Sequence, residues 1–313
     1  MEMSGKKSVF IDGSAGTTGL RIYDRLRKRS DIELITLEEK KRKDIQARKR
    51  ALNSCDVAFL CLPDDAAREA VALVENPDVT VIDASTAHRT LEGWAYGFAE
   101  LGDDFYHKIQ NLKRIAVPGC HASGFIALVY PLMEKGVLKK SAALTCHSIT
   151  GYSGGGKKMI AEYEAKDVDV LLSAPRQYGI TQNHKHLKEM KKITGLEKAP
   201  IFCPIVSDFY CGMTVTVPIF AQDIECGVET IRKIYREKYN WGAVRYCDTI
   251  DEDGFISANA MAHKDSMQIT VAGNDERILL IARYDNLGKG ASGAAIECFN
   301  ISIGADTDCG LDF

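Results

Sequence analysis

The 313-residue chain is long enough for about two domains, because single domains average roughly 150 residues. Forty Lys and Arg residues against 43 Asp and Glu residues give a formal net charge of −3. Nucleic-acid-binding proteins usually carry a strong basic excess, so we expect no nucleic-acid partner. The longest nearly uninterrupted apolar stretch, residues 124–132, is far shorter than the ~20 residues of a membrane helix, so we expect no membrane partner.

The N-terminus and the cysteines indicate the compartment. Residues 1–7 are polar and lead directly into a strand-like segment, so the sequence shows no signal peptide. The ten cysteines lack Cys-x-x-Cys pairs. Cys55, Cys61, Cys203 and Cys298 lie in apolar runs, where reduced thiols behave as small hydrophobic side chains. We therefore expect a cytoplasmic protein.

The first 118 residues alternate between strand and helix patterns. Continuous apolar runs predict strands at residues 8–12, 32–37, 57–62, 79–83 and 114–117. Helical spacing of apolar residues, or a helix start signal, predicts helices at residues 17–29, 44–53 and 64–74. Buried strands separated by helices are typical of a doubly wound α/β fold with a parallel sheet of the Rossmann type.

After Pro118 the pattern changes. An apolar helix is predicted at residues 121–135 and another at residues 292–303. Predicted strands follow one another with few long helices between them, at residues 142–149, 201–209, 212–220, 266–272 and 277–284. This order predicts a second domain of α+β class with a mixed or antiparallel sheet.

A glycine-rich turn follows the first predicted strand and opens the first predicted helix. Such a turn lets the backbone approach a pyrophosphate, and the helix N-terminus offers free N–H groups to it. The spacing Gly-x-x-Gly-x-x-Gly differs from the usual fingerprint, and an ordinary strand–helix turn is the alternative. We favour dinucleotide binding, with these contacts: Gly13, Ser14, Gly16, Thr17, Thr18 and Gly19.

The end of the second predicted strand indicates which dinucleotide is bound. Thr36 and Leu37 stand there, and a basic run, residues 40–43, follows Glu38 and Glu39. NAD sites usually place a carboxylate at this point, whereas a 2′-phosphate needs basic or hydroxyl partners. We therefore predict NADP(H), with Thr36 among its contacts; a solvated helix start is the alternative explanation of the basic run.

Cys120 is set apart from the other cysteines by its position. Pro118 and Gly119 turn the chain out of a predicted strand, and the apolar helix begins immediately afterwards. A thiol at a helix N-terminus has its pKa lowered, because the helix dipole and the free N–H groups favour the thiolate. We predict that Cys120 is a nucleophile.

Two further segments suggest binding or catalysis. The glycine-rich stretch 151–158 ends in two lysines and can form an anion-binding nest, with a flexible surface connection as the alternative. His184 and His186 form a His-x-His pair, and no third metal ligand stands near them, so we predict no metal site. We expect one imidazole to serve the thiolate as a base, although both could be solvent-exposed.

At this point the chain resembles a known family, the N-acetyl-gamma-glutamyl-phosphate reductases of the shorter second type. The matching stretches run in order along the whole chain: residues 11–19, 61–67, 81–89, 118–120, 151–158, 182–186 and 286–293. It also resembles, more distantly, the aspartate-semialdehyde dehydrogenases. Two departures stand beside the cysteine: Val117 replaces an expected Asn, and residues 121–123 read His-Ala-Ser instead of aromatic-Pro-Thr.

The resemblance implies an activity and a domain plan. The implied reaction is the NADPH-dependent reduction of N-acetyl-L-glutamyl 5-phosphate to the 5-semialdehyde with release of phosphate, a step of arginine biosynthesis. The implied plan is an NADP-binding Rossmann domain at residues 1–118 and 288–313, with a catalytic α+β domain at residues 119–287. The small-molecule acyl phosphate is the implied substrate, and we expect a homo-oligomer, either a dimer or a tetramer.

The resemblance also implies roles for residues. The nucleophile of the family falls on Cys120, and its catalytic histidine falls on His184 or His186. Further cofactor contacts are predicted at Ser85, Asn286, Gly288 and Lys289. Substrate contacts are predicted at Ser153, Gly154, Gly155, Lys157 and Glu189.

The spacing of the two histidines leads us to favour one of them as the acid–base group. If residues 183–186 are extended, positions i and i+2 point to the same side, so both rings border one pocket. We favour His184, because His186 lies closer to the helix start, where Glu189 can engage it.

Two alternative functions remain open from the sequence. A related reductase could act on aspartyl phosphate or on a carrier-linked aminoadipyl phosphate. A non-catalytic dinucleotide sensor could also keep this fold, but it would need neither Cys120 nor the two histidines.

Overall fold

The computed structural model describes residues 5–313, so residues 1–4 of the polar N-terminal segment lie outside the described residues. The strands are β1 Lys7–Asp12, β2 Ile32–Ile35, β3 Val57–Leu60, β4 Thr80–Asp83, β5 Ala95–Tyr96, β6 Arg114–Ala116, β7 Thr145–Gly151, β8 Arg176–Gln177, β9 Ile201–Ser207, β10 Met213–Phe220, β11 Val244–Tyr246, β12 Met267–Gly273 and β13 Arg277–Tyr284. The helices are α1 Thr17–Leu26, α2 Ile45–Ser54, α3 Asp64–Leu73, α4 Asp103–Asn111, α5 Cys120–Glu134, α6 Gly156–Tyr163, α7 His186–Thr194, α8 Val228–Lys238 and α9 Gly293–Ile303.

The chain divides into two compact units. Unit 1 contains the residues up to Phe98 together with Asp104–Pro118 and Ser292–Leu311. Unit 2 contains Ala99–Asp103, Gly119–Ala291 and Asp312–Phe313. Among residues 5–313, none of the helices combines the length and apolar character that crossing a membrane requires.

The sheet of unit 1 is parallel throughout, in the order β2-β1-β3-β4-β6-β5. Side chains alternate between the two faces of a strand, and β3 shows what covers each face. Ala58 and Leu60 pack in one core cluster with residues of α2 and α3. Phe59 points to the other face and contacts Phe299 of α9, with ring centroids 5.7 Å apart. Helices on both faces confirm the predicted doubly wound α/β class.

The sheet of unit 2 is mixed, in the order β11-β12-β13-β10-β7-β9-β8. β11–β12 and β7–β9 are parallel pairs, and the remaining pairs are antiparallel. Helix α5 packs on β10 and β13, where Gly124 lies against Val215 and Tyr284. The predicted α+β class with a mixed sheet is therefore confirmed.

Two predicted segments differ from the structure, and each difference has a local cause. The strand predicted from residue 142 begins at Thr145, because residues 139–142 form a turn in which the Ala142 N–H donates to the Lys139 carbonyl. The stretch 151–158 is not an open loop: a 3₁₀ turn, Tyr152–Gly155, leads into helix α6.

Three helices were missed from the sequence, namely α4, α6 and α8. Helix α8 buries Val228, Ile231, Ile234 and Tyr235, which is the spacing of an amphipathic helix.

Candidate active site

Cys120 is the first residue of α5, the most deeply buried helix of unit 2. Gly119 precedes it in extended conformation, and no side chain caps the helix. The N–H groups of the first turn therefore point out of the end of the helix that carries the sulfur. The thiol is partly exposed, whereas the following residues, from His121 to Val129, are all buried. The helix thus presents one accessible thiol at the end of a rigid, apolar element.

Glu189 fixes the backbone before the cysteine. Its carboxylate is buried and accepts a hydrogen bond of 2.8 Å from the Gly119 N–H. Glu189 lies in the first turn of α7, and α7 packs against α5. Glu189, which the sequence predicted as a substrate contact, therefore binds the protein's own backbone and positions Cys120.

Tyr284 and Gly290 hold the other side of the first turn of α5. The buried Tyr284 hydroxyl donates to the Cys120 carbonyl and accepts a 3.0 Å hydrogen bond from the Gly124 N–H. A Cβ on Gly290 would lie 3.1 Å from the Cys120 Cβ. A side chain at this position would press against the cysteine, so Gly290 lets this part of the chain lie close to Cys120.

A hydrogen-bond chain passes through His121, the residue next to the cysteine. His121 Nδ1 lies 2.6 Å from Ser148 Oγ, and His121 Nε2 lies 2.7 Å from the Tyr178 hydroxyl. Burial, with a smaller contribution from His184, lowers the pKa of His121 to about 3. His121 is therefore a neutral imidazole at pH 7, with one nitrogen donating and the other accepting.

Tyr178 is the partly exposed end of this chain. Burial and, less strongly, the nearby Cys120 raise the pKa of its hydroxyl above the ordinary value, so the phenol keeps its proton. His121 holds the neutral hydroxyl in one orientation, and Cys120 lies near enough to influence the pKa of the phenol.

His184 and His186 lie together beside His121. Their ring centroids are 4.7 Å apart, and the His184 ring is 6.0 Å from the His121 ring. Burial, followed by the effect of Lys185, lowers the pKa of His184, so this ring is neutral at pH 7 and can accept a proton. His186 is buried.

The reason for the proximity of these rings differs from the predicted one. The condition that residues 183–186 are extended is not met, because Lys185 has helical backbone angles and α7 begins at His186. The His186 N–H donates to His184 Nδ1 over 3.3 Å, so the two residues meet at a helix start.

The glycine-rich stretch places its residues at the N-terminus of α6. Gly154, Gly155 and Lys157 are exposed there, whereas Ser153 is buried and accepts a 3.1 Å hydrogen bond from the Asn286 side chain. Gly156 has a φ of 71°, which favours glycine and lets the 3₁₀ turn pass into the helix. The uncapped helix start, with Lys157 in its first turn, can bind an anion.

The segment after β13 is held firmly within unit 2. The Asn286 amide accepts from the Gly212 N–H over 2.9 Å while it donates to Ser153. Lys289 is buried in an ion pair with Glu100, with distances of 2.7 and 2.9 Å. The Gly288 backbone lies against the Lys264 carbonyl. These contacts give all three residues structural roles, and their predicted contacts with a cofactor stay predictions.

Unit 1 contains the predicted dinucleotide turn, between β1 and α1. Gly13 has a φ of 88°, and a Cβ there would collide with the Cys61 carbonyl. A Cβ on Gly19 would collide with the Gly13 carbonyl. Gly16 is the N-cap of α1, no side chain caps it, and the first turn carries no acidic residue. Free N–H groups on a close-packed turn fit a pyrophosphate.

The other predicted cofactor residues of unit 1 lie at the carboxyl ends of parallel strands. Thr36 is exposed directly after β2. Ser85 follows β4, and its N–H and hydroxyl both donate to the buried Asp83 carboxylate, at 2.9 and 2.7 Å. Ligands of open α/β sheets bind at this edge, so both positions are consistent with the predicted contacts.

Sequence reasoning missed part of this site. Tyr178 is 57 residues from His121, and Ser148 is 27 residues from it. No local motif connects such residues; the parallel pairing of β7 with β9 and the loop before α7 bring them together.

Comparison with known proteins assigns the chain to a family. Models described as "Semialdehyde dehydrogenase, NAD binding domain" and "Semialdehyde dehydrogenase, dimerisation domain" match residues 8–109 and 120–286. The chain is 44% identical to "N-acetyl-gamma-glutamyl-phosphate reductase 2" of Nostoc sp., over 98% of this chain and 99% of that protein. The chain belongs to the N-acetyl-gamma-glutamyl-phosphate reductase family. A Sinorhizobium medicae relative named "N-acetyl-gamma-glutamyl-phosphate reductase" is 42% identical over 96% of this chain and 100% of its own length.

Solved structures show the same fold. Aspartate semialdehyde dehydrogenase II of Vibrio cholerae has a TM-score of 0.71 at 14% identity, covering 96% of this chain and 99% of that one. Aspartate semialdehyde dehydrogenase of Candida albicans, solved with NADP, has a TM-score of 0.67 at 17% identity, covering 95% and 98%.

These findings confirm the resemblance drawn from the sequence motifs. The chain is an oxidoreductase that acts on a small molecule, and its N-terminal part is a nicotinamide-dinucleotide-binding domain.

Proposed function

We propose that the protein reduces N-acetyl-L-glutamyl 5-phosphate to N-acetyl-L-glutamate 5-semialdehyde with NADPH, releasing phosphate, as a step of arginine biosynthesis. The observation that carries the proposal is the position of Cys120, a partly exposed thiol at an uncapped helix start, directly before His121, whose neutral ring lies against that of His184. The full-length relatives that carry this enzyme name support the same reaction.

Cys120 is the proposed nucleophile. Its sulfur attacks the acyl carbon, the bond from that carbon to the phosphate oxygen breaks, and a thioester remains on the enzyme. The N–H groups in the first turn of α5, which no side chain caps, can donate to the developing oxyanion, since they lie at the end of the helix that carries the sulfur. Gly119 and Tyr284 hold this turn in place through their hydrogen bonds, so little rearrangement is needed.

His184 is the proposed acid–base group, and His186 the proposed substrate-positioning group. Burial lowers the pKa of His184, so the ring is neutral at pH 7 and can take the thiol proton. His186 is buried and holds His184 through its own N–H. The Tyr178 hydroxyl is fixed by its hydrogen bond with His121 and adds a polar group near the reacting sulfur.

The N-terminus of α6 is the proposed site for the phosphate. We propose substrate contacts at Gly154, Gly155 and Lys157, which are exposed there. The hydrogen bond between Asn286 and the buried Ser153 fixes the turn that carries them. Glu189 assists indirectly, because its carboxylate binds Gly119 and so fixes the cysteine.

The turn between β1 and α1 is the proposed site of the cofactor pyrophosphate. NADPH, when bound, supplies the hydride that reduces the thioester to the aldehyde. The proposed contacts of the turn are Gly13, Ser14, Gly16, Thr17, Thr18 and Gly19, with Thr36 and Ser85 at neighbouring strand ends. Thr36 and the exposed basic residues 40–43 favour NADPH over NADH.

We propose that residues 1–118 and 288–313 form the NADP-binding domain and residues 119–287 the catalytic domain. We also propose a cytoplasmic location, which the ten free thiols of the described residues support, because thiols persist in reducing compartments.

We further propose that the protein is a homo-oligomer, built on the open face of the unit 2 sheet. One face is covered by α5, whereas the other exposes Ile149, Ile201, Phe220 and Leu279, to between 38% and 60%. Such an apolar face is typical of a protein interface. The family description of this region as a dimerisation domain supports a second copy of the chain as the partner.

The decisive experiment measures the reverse reaction. The purified protein is mixed with N-acetylglutamate semialdehyde, NADP and phosphate. The absorbance of reduced nicotinamide should then increase, and omission of phosphate should abolish the increase. Cys120→Ser should abolish turnover with near-normal NADPH binding, while Cys226→Ser should behave as wild type. Faster turnover of aspartate semialdehyde would contradict the proposed substrate, and an active Cys120→Ser variant would contradict the thioester.

A further inference from the structure

A cluster of three metal-binding side chains lies outside the candidate active site, also in unit 2. Cys211, His263 and Asp285 each place a possible ligand atom within 4.8 Å of the other two. The Cys211 sulfur is 3.7 Å from His263 Nδ1 and 3.9 Å from His263 Nε2. Cys211 and Asp285 are buried, and His263 is exposed. None of these residues takes part in the proposed reaction.

The sheet itself brings two of the three donors together. Cys211 comes just before β10 and Asp285 just after β13, and these strands pair with Met213 opposite Tyr284. The Gly212 N–H donates to the Asn286 side chain over 2.9 Å, which ties the two strand ends to each other. The relative position of the thiol and the carboxylate is therefore set by strand register, as a preorganised metal site requires.

The third donor is carried by a loop that packs tightly on the same strand ends. A Cβ on Gly212 would lie 2.6 Å from Ala258 O and from Asn259 Cα, so the loop contacts this glycine closely. The His263 N–H donates to Asp285 Oδ2, and His263 has a φ of 69°. Histidine is among the residues that accept this left-handed conformation most readily. The backbone bond to Asp285 places His263 beside the thiol and the carboxylate, while its exposed imidazole can still turn.

We propose that Cys211, His263 and Asp285 form a binding site for a zinc-like divalent cation. Thiolate, imidazole and carboxylate are the usual protein ligands of Zn²⁺, and three of them leave a fourth position for water. Zinc–ligand bonds of about 2.0–2.3 Å in a tetrahedron place the donor atoms about 3.3–3.6 Å apart. The sulfur lies 3.7 Å from Nδ1 and 3.9 Å from Nε2, and the donor atoms all lie within 4.8 Å of one another. Binding would therefore turn the exposed imidazole so that one nitrogen faces the metal, and would draw the three donors slightly closer together.

Backbone donors orient the carboxylate. Asp285 Oδ2 accepts from the His263 N–H, and Oδ1 accepts from the Leu287 and Gly288 N–H groups. Such donors orient a ligand as the outer partners of metal sites do. Because the thiolate is the form that binds a metal, binding would release the thiol proton of Cys211 to solvent.

The sequence did not predict this site, because its donors lie far apart along the chain. Cys211 and His263 are 52 residues apart, and His263 and Asp285 are 22 apart. Zinc motifs are recognised when pairs of ligands lie a few positions from each other, and this cluster has no such pair.

The test uses Co²⁺ as a spectroscopic probe and Zn²⁺ as its competitor, on the full-length chain. Since Cys120 with its histidines could also bind cobalt, the titration is done in wild type and in Cys120→Ser. We expect a thiolate-to-cobalt charge-transfer band at one equivalent per chain, displaced by Zn²⁺ and retained in Cys120→Ser.

Variants of the donors then assign the band. Cys211→Ser in the Cys120→Ser background should remove it. His263→Asn should weaken Zn²⁺ binding by roughly 100-fold or more, since even outer partners of metal ligands contribute 10–100-fold. Asn tolerates the left-handed conformation, so this variant keeps the loop folded. Cys226→Ser and His107→Asn serve as matched controls and should bind normally.

A second readout does not depend on absorbance. Zn²⁺ should raise the thermal midpoint of Cys120→Ser, because a cation bound to the folded state stabilises it, and His263→Asn should lose this increase. Any of three results would overturn the proposal. The cobalt band could persist after Cys211→Ser, or it could already be lost in the single variant Cys120→Ser. The third such result is a Zn²⁺ affinity that stays unchanged in His263→Asn.

Discussion

At the scale of single residues, the candidate site contains two imidazoles whose pKa values are lowered. His121, His184 and His186 lie next to one another, and protonated rings at such distances would repel each other strongly. Burial lowers the pKa of His121 and His184, so these two rings carry no charge at pH 7. His184 can therefore accept a proton only above its lowered pKa.

The two adjacent histidines should differ in their kinetic effects. His184→Asn should lower kcat by roughly 10²–10⁴-fold, because it removes the proposed acid–base group. His186→Asn should mainly raise KM, because it removes a positioning contact. In wild type, activity should decline as pH falls through the pKa of His184, which lies below the usual 6.5.

Steady-state pH profiles of both variants distinguish these roles. The acidic limb should change in His184→Asn and stay in place in His186→Asn. The opposite pattern would assign the acid–base role to His186, and two variants with wild-type kinetics would remove both histidines from the mechanism.

The depressed pKa of His121 should also appear in the stability of the protein. The unfolded chain binds a proton at this residue below pH 6.5, whereas the folded chain does so only at about pH 3. Between these values the unfolded state binds more protons, so stability falls as pH falls, by at most about 1.4 kcal/mol per pH unit.

Urea unfolding between pH 7 and pH 4 tests this linkage. His121→Gln should be less stable at pH 7, because it disturbs the hydrogen bonds to Ser148 and Tyr178, but its stability should depend less on pH. His107→Asn, at an exposed position, is the control and should follow the wild-type dependence. An equally steep decline in His121→Gln would show that other groups cause the acid sensitivity.

At the scale of elements, the junction of α5 and α7 positions the nucleophile. Removal of the Glu189 carboxylate by Glu189→Ala would leave the buried Gly119 N–H without its acceptor, a loss of about 1–3 kcal/mol in stability. We expect kcat to fall as well, since a misplaced first turn of α5 displaces the Cys120 sulfur.

Two matched variants separate positioning from substrate binding. Glu189→Gln keeps an acceptor oxygen and should restore most of kcat and stability, whereas Lys188→Ala, exposed on the same helix, should change neither. If Glu189→Gln fails as completely as Glu189→Ala with a large rise in KM, the carboxylate contacts substrate as the sequence suggested.

Elements that depend on local sequence signals could be predicted from the sequence. Five of the six strands of the parallel sheet were predictable as apolar runs, and β1 and β3 also have a glycine or proline signal after them. The position of Cys120 at the start of α5 was predictable for the same reason, since a Pro-Gly turn precedes an apolar helix. These features depend on neighbouring residues only. The two-residue strand β5 was missed, because it is too short to form an apolar run.

Features that depend on distant residues could not be predicted. The Glu189–Gly119 bond joins residues 70 apart, and the Tyr178–His121 bond joins residues 57 apart. The ion pair of Lys289 joins residues 189 apart and gives the lysine a partner that its motif did not indicate. Tertiary packing alone decides such contacts, so a single sequence carries no local signal for them.

At the scale of the whole molecule, the open face of the unit 2 sheet should control assembly. Ile149→Asp places a charge in the middle of this apolar face and should shift the protein from a dimer or tetramer towards the monomer. Light scattering after size exclusion measures this change.

A matched control tests whether the effect on assembly requires the charge to be on the open face of the unit 2 sheet. Leu91→Asp alters a residue of unit 1 that is exposed to 48% and lies outside both sheets, and it should leave the molecular mass unchanged. A wild-type protein that is monomeric at micromolar concentration, or an Ile149→Asp variant with unchanged mass, would contradict the proposed interface.

The division of the chain into units has a consequence for synthesis on the ribosome. Unit 1 cannot be completed until Ser292–Leu311 has been made, because α9 supplies the Phe299 ring that covers Phe59. Nearly all of unit 2 is made earlier, as Gly119–Ala291. The second unit can therefore fold while the β3 face of the first is still uncovered. A nascent chain halted shortly after Ala291 would expose an apolar sheet face, which chaperones would have to shield until the last helix emerges.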